Sequence, residues 1–243
     1  MEATGTRRRG LLVWAAAGAA VLIAAAISLL VAALVGGGPR SQSTDSPSVP
    51  SGEPSPSSSG LVDGMVDPEV ADQGWVPEPI TRDPEVYARS ALEAAGTFDT
   101  TLSSRTEWVA WLKTWFTPSP LYDDELDALD QMARYQVELD EAVALPPESW
   151  DELASEDGRV NAQVGGDIDY LELPETTEKR MWTATADLVM TYTRVTPDGE
   201  VSYDETVRVS VQVVCDGVSV PTPDSAQQAG DCKVVRYFDE AVG

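Results

Sequence analysis

The sequence predicts an α+β fold, with an N-terminal transmembrane helix ahead of a domain whose helices pack on a curved antiparallel sheet. Three observations predict it: a charge-free apolar run over residues 11–35, helical apolar spacing over residues 83–153, and strand-like alternation from residue 159 onward. Helices first and then a long antiparallel meander is the order in which helices collect on one face of a sheet.

The apolar run LLVWAAAGAAVLIAAAISLLVAALV follows Arg7, Arg8 and Arg9. At about 1.5 Å per residue it reaches ~37 Å as a helix, enough for a hydrocarbon core of ~30 Å with some tilt. A secretory signal has a shorter apolar core, about 7 to 15 residues. The Ala-rich end of the run leaves cleavage open, and either reading exports the C-terminal part of the chain. Three arginines precede the run and only Arg40 lies close behind it. The positive-inside bias therefore puts residues 1–10 in the cytoplasm as a short tip and the C-terminal part outside the cell membrane, in a single pass.

Residues 36–60, GGGPRSQSTDSPSVPSGEPSPSSSG, cannot bury apolar surface and read as a disordered Pro/Ser/Gly tether, holding the domain ~25–30 Å from the bilayer on average. Residues 61–82 form an extended lead-in, with apolar Leu61, Val66, Val70, Trp75 and Ile80 among three prolines. Residues 83–243 are then the size of one domain with a respectable core. Residues 60–243 carry 38 acidic against 12 basic side chains, a net charge of -26. That charge excludes gripping phosphate backbones, so no direct contact with nucleic acid is expected.

Asp83, Pro84 and Glu85 are an N-cap, a first-turn proline and a first-turn acid, starting a helix that runs to about Ala95 and stops at Gly96. Val86, Tyr87, Ala91, Leu92 and Ala95 supply its buried face. Ser104 and Glu107 have capping-box spacing, and the helix they open carries Trp108, Trp111, Leu112 and Trp115 on one side before Pro118 and Pro120 end it. A third helix, exposed or partly ordered, is expected over residues 123–144, with a thin apolar face of Leu126, Leu129, Met132, Ala133 and Val137. Trp150 and Leu153 anchor a further helical turn.

Residues 159–164 and 167–173 read as short strands about Gly165-Gly166, a bulge or a turn. In the next strand Trp182, Ala184, Ala186, Leu188, Met190 and Tyr192 alternate with mostly polar residues. The turn Pro197-Asp198-Gly199-Glu200 leads to its partner, which alternates Val201, Tyr203, Val207, Val209, Val211 and Val213. CKVVRYFDEAV supplies a last strand. Cys215 and Cys232 flank the loop before it, and in an exported domain a disulfide closing that 18-residue loop is expected, worth about 3 kcal/mol. Free thiols and a metal site remain the alternatives, the latter lacking any histidine for a usual zinc set.

This plan, behind one span and a Pro/Ser tether, resembles the cone-shaped domains of the nuclear transport factor two-like superfamily, and in particular the TcpC-type scaffold proteins of conjugation and type IV secretion machines. DPEVYARSALEAAGTFDT, LPPESWDEL and the terminal CKVVRYFDEAV are similar to an actinobacterial group of membrane-anchored proteins associated with integrative conjugative elements. The resemblance covers about residues 83–240. It implies a non-enzymatic signal-anchored scaffold or accessory subunit of a transfer apparatus, with protein partners in an envelope complex and a homo-oligomer as a further expectation. The same layout also occurs in proteins of mycobacterial lipid-import operons, a rival reading.

No catalytic, cofactor-binding or metal-binding residue is assigned from the sequence, and no cofactor is expected. Histidine is absent, which removes Ser-His and Cys-His nucleophile pairs, His-metal motifs and the usual neutral-pH proton shuttle. Gly36-Gly37-Gly38 and Gly165-Gly166 lack the Lys and Ser/Thr of a phosphate loop. Carboxylates are too many for spacing to select a glycosidase-like pair. Cone folds also host isomerases built on an Asp base and a Tyr donor. For that rival, or for a small-molecule binder, the candidates are Asp187, Tyr192, Tyr170 and Asp99. Asp187 alternates away from Leu188, toward solvent.

Overall fold

The computed structural model describes residues 64–172 and 181–242. The tip 1–10, the span 11–35, the tether 36–60 and the first residues of the lead-in lie outside them. Among the described residues no helix is long and apolar enough to cross a membrane.

Asp83 accepts hydrogen bonds from the amides of Glu85 and Val86 and so starts α1 (Pro84–Gly96). Its inward face is Tyr87, Ala88, Ala91, Leu92 and Ala94, whereas Val86, expected inside, is exposed. α1 lies across β2 (Arg159–Glu172) and β4 (Gly199–Asp216). Its last residue, Gly96, rests on the sheet so closely that a Cβ there would stand 2.8 Å from that of Ala162. Ser104 and Glu107 form the reciprocal capping box that opens α2 (Arg105–Lys113). That helix ends before Trp115, which is nevertheless fully buried because the chain turns inward there.

The sheet runs β1 (Phe98–Asp99), β2, β3 (Met181–Thr196), β4, β5 (Gly230–Phe238) in sequence order, each strand antiparallel to the next. The α+β class is thus realised as a plain meander. Each edge is occupied in part by the chain's own groups. At β5, Val234 N donates to Trp115 O at 3.0 Å and its carbonyl accepts from Thr117 N at 2.8 Å, while Cys232 N donates to Thr81 O. At β2, the amides of Ala162 and Val164 donate to Thr97 Oγ1 and Glu93 Oε1. Edges capped in this way do not template pairing with other chains, but β5 covers β4 only over Ser210–Asp216, and among the described residues the outer edge of β4 from Gly199 to Val209 has no strand beside it.

Three expectations need correction. Of the bulge and the turn left open at Gly165-Gly166 the structure has the bulge, with Gly166 at φ 78° and a register shift between Gly165 and Asp169, so the two expected short strands run as one. α3 (Glu125–Glu138), which continues as a π turn over Leu139–Val143, is rotated from the expected orientation. Ala128, Met132, Tyr135 and Leu139 turn inward, and Leu126, Leu129, Ala133 and Val137 face solvent. Nor do all helices share one face. α3 seats on edge strand β5, where Glu138 pairs with Arg236 at 2.6 Å and Tyr135 lies under the same guanidinium. Tyr135 also packs on Met181, Val214 and Val235, a small cluster that strand alternation puts on the sheet's second side.

The main core lies between the sheet, α1, α2 and α4 (Pro147–Ala154), with Trp150 and Leu153 of α4 buried in it. β3 and β4 pair without interruption from Met181↔Val214 to Thr196↔Gly199, so the hairpin overshoots the helices. Val201 and Tyr203, expected half-buried, are exposed for that reason. Cys215 and Cys232 are joined by a disulfide between β4 and β5, their Cα atoms 4.1 Å apart.

Candidate functional site

A ligand cavity would lie between the helices and the sheet, so the packing of that space bears on what can bind there. Aromatic side chains fill most of it. Phe98, Trp108 and Trp150 form a mutual cluster with ring centroids 4.5 to 5.7 Å apart, and Tyr87 packs on Trp115 at 5.8 Å. The space left over is a half-open groove of about 210 Å³ bordered by Leu92, Gly96, Val143, Leu188, Met190 and Val207, with Asp239 the one carboxylate lining it. A ligand site needs several converging polar groups. This groove presents apolar walls and a single acid, so it offers no acid-base couple.

The structure does not bring the four isomerase candidates together. Asp187 is exposed on the second face and paired with Arg208 at 2.9 Å, a guanidinium that also binds Asp169. Asp99 accepts from the amide and hydroxyl of Thr101. Tyr192 stacks on Tyr203 with centroids 5.1 Å apart, and burial pushes its hydroxyl up to about 12. Tyr170 pairs in register with Ala184, eight residues along β3 from Tyr192, or ~26 Å. Burial raises its hydroxyl as well.

Sequence reasoning missed the most unusual chemistry, a sealed ion pair. Lys233 and Glu78 are both wholly buried, Nζ to Oε1 at 2.7 Å. Lys233 also donates to Thr222 Oγ1 at 2.6 Å and to Thr114 O at 3.0 Å, which uses all three of its protons. Glu78 Oε1 accepts in addition from the hydroxyl of Tyr87 and from Gln227 Nε2. Burial lowers the Lys233 ammonium and Glu78 opposes that shift, while burial first and Glu78 second raise the Tyr87 hydroxyl well above its usual value. With its partners saturated and solvent excluded, the group is a clamp and not a proton relay. The available signal was Lys233 itself, a rare lysine inside the apolar run CKVV.

Two of the places where exposed apolar groups stand are the hairpin end and α3. At the hairpin end stand Val195, Val201 and Tyr203, with Arg194 over the Tyr203 ring and in an ion pair with Glu156 at 2.9 Å. Along α3 stand Leu126, Leu129 and Val137.

No protein-family model matches the sequence, and no curated protein matches it. Among solved structures, the chain is similar to the periplasmic domain of DotI, at 15% identity over 62% of this chain and 87% of that one, with a TM-score of 0.39. It is similar to an IcmL-like type IV secretion system protein from Legionella pneumophila, at 18% identity over 63% and 87%, with a TM-score of 0.35. It is also similar to a periplasmic fragment of TraM, at 12% identity over 62% and 89%, with a TM-score of 0.35.

Proposed function

We propose that the chain is a non-enzymatic, membrane-anchored scaffold or accessory subunit of a conjugative, type IV secretion-like transfer apparatus, working outside the membrane through protein contacts. The setting comes from the resemblance of DPEVYARSALEAAGTFDT and CKVVRYFDEAV to membrane-anchored proteins of conjugative elements. The mode of action is supported by one observation: the space between helices and sheet is packed mostly with aromatic rings, while apolar side chains are left on the surface of the hairpin. A packed interior with exposed apolar patches suits assembly and not ligand capture. In this reading residues 11–35 anchor the chain, residues 36–60 tether it, and residues 83–243 form the cone-like working domain.

The test replaces Val201 and Tyr203 by aspartate in the host that carries the gene, with the level of chain in the membrane fraction checked by blot. Interface centres lose at least ~2 kcal/mol on such changes, so transfer frequency of the conjugative element should fall ~30-fold or more. Unaltered transfer in a host deleted for the gene, with impaired uptake of a labelled lipid, would replace this reading by the lipid-import one.

A further inference from the structure

A helix normally turns its apolar stripe inward, and α3 carries a second one that faces outward. Leu126, Leu129, Ala133 and Val137 follow one another at spacings of three, four and four, which places them on one line of an α-helix over ~16 Å. All four are exposed, Leu126 at 73% and Val137 at 51%. The opposite side of the helix is already committed to the domain through Ala128, Met132, Tyr135 and Leu139. The sequence has therefore provided α3 with two apolar lines where packing needs one.

The groups beside the outward line define what it accepts. Asp123, Glu125, Asp127 and Asp130 are exposed along it, and Arg134 is the single cation between Asp123 and Glu141. A second copy of the chain would set these acids against its own, within a domain whose net charge is already strongly negative. An anionic lipid surface would be repelled for the same reason. An apolar ridge flanked by carboxylates is complementary to an amphipathic helix with lysines or arginines beside its leucine-type face.

We infer that α3 is a docking ridge for a basic amphipathic helix of another protein. The inference rests on the reading of the chain as a contact-working subunit and adds the surface and the chemistry of the partner. The hairpin and α3 are separate surfaces, so each can fail alone.

The test uses the full-length chain in phosphatidylcholine nanodiscs, titrated with a labelled helical peptide carrying leucines at i, i+3, i+4 and i+7 and lysines elsewhere. A second peptide keeps the leucines and replaces every lysine by glutamate. The lysine peptide should bind, and Leu129→Gln with Val137→Gln should weaken it ~10-fold without lowering the melting temperature. Asp127→Asn with Asp130→Asn, which leaves the ridge intact, should weaken it ~3-fold and flatten its salt dependence. The glutamate peptide should not bind. Equal affinity of the lysine peptide for the Gln variant, or equal binding of both peptides, overturns the proposal. So does a dimer in analytical ultracentrifugation that Leu129→Gln dissociates, because the occupant would then be a second copy. Failure here, with transfer still dependent on Val201 and Tyr203, removes the ridge and leaves the proposed function standing.

Discussion

Glu78 and Lys233 show how much one contact can weigh when solvent is excluded from both partners. Taking two charges out of water costs several kcal/mol each, and the pair survives because Tyr87, Thr114, Thr222 and Gln227 complete its hydrogen bonds. Removing only the negative charge, as in Glu78→Gln, leaves an unpaired buried ammonium and should cost about 3–5 kcal/mol in urea unfolding followed by tryptophan fluorescence. The double change Glu78→Gln with Lys233→Met should recover part of that loss. A single-variant cost under ~1 kcal/mol would mean that water reaches the pair. Nothing local in the sequence joins positions 78 and 233, because only the completed sheet brings the lead-in against β5. The same cluster contributes to the alkaline limit. Tyr87 and Tyr237 have hydroxyls raised by burial, so above pH ~10 the unfolded chain loses phenolic protons that the native state keeps, and stability falls as pH rises. Lys233, lowered by burial, works the other way, but its contribution is complete once pH passes the unfolded value of about 10.5. Urea stability should therefore drop by up to ~1.4 kcal/mol per pH unit per tyrosine above that point, and Tyr87→Phe should remove one such share. An unchanged slope in that variant would show the hydroxyl to be solvated.

Elements with local signals were legible, and elements defined by the surface they rest on were not. Asp83 before Pro84, and Ser104 three residues ahead of Glu107, are backbone-capping chemistry that needs no tertiary partner, so both helix starts were found in the sequence. α3 carries two apolar lines, and the larger side chains, Leu126, Leu129 and Val137, belong to the outward one. Size favoured the wrong face because the inward face was chosen by Arg236 and the second-side cluster beneath Tyr135. The β3–β4 pairing was legible from alternation, yet alternation reports only which side a residue faces and not whether anything covers it. That is why Val201 and Tyr203 were expected half-buried. The disulfide ties β4 to β5 across a separation of 17 residues, and by loop-closure entropy it should stabilise the fold by about 3 kcal/mol. Reduction should lower the melting temperature of a domain this size by ~6–12 °C. An unshifted melt after complete reduction would mean that the bridge adds nothing beyond the pairing of the two strands.

For the molecule as a whole, the α+β class was readable because helices and strands occupy separate halves of the sequence, leaving few topologies to consider. In the proposed reading the division of labour between membrane and domain follows charge: -26 over residues 60–243 is repelled by an anionic leaflet, so retention would fall to the proposed anchor at residues 11–35. Full-length chain should then stay in the membrane pellet through high salt and alkaline carbonate, since neither weakens the burial of a spanning helix. Ile23→Arg with Ile27→Arg puts two charges near the middle of that run, at about 2.5–3.5 kcal/mol each on the insertion scale. The carbonate-resistant fraction of this variant should collapse while its folded domain, monitored by the disulfide and tryptophan emission, persists. Full retention of the variant after carbonate would mean that the acidic domain binds the envelope by itself, and the span would lose its assigned task.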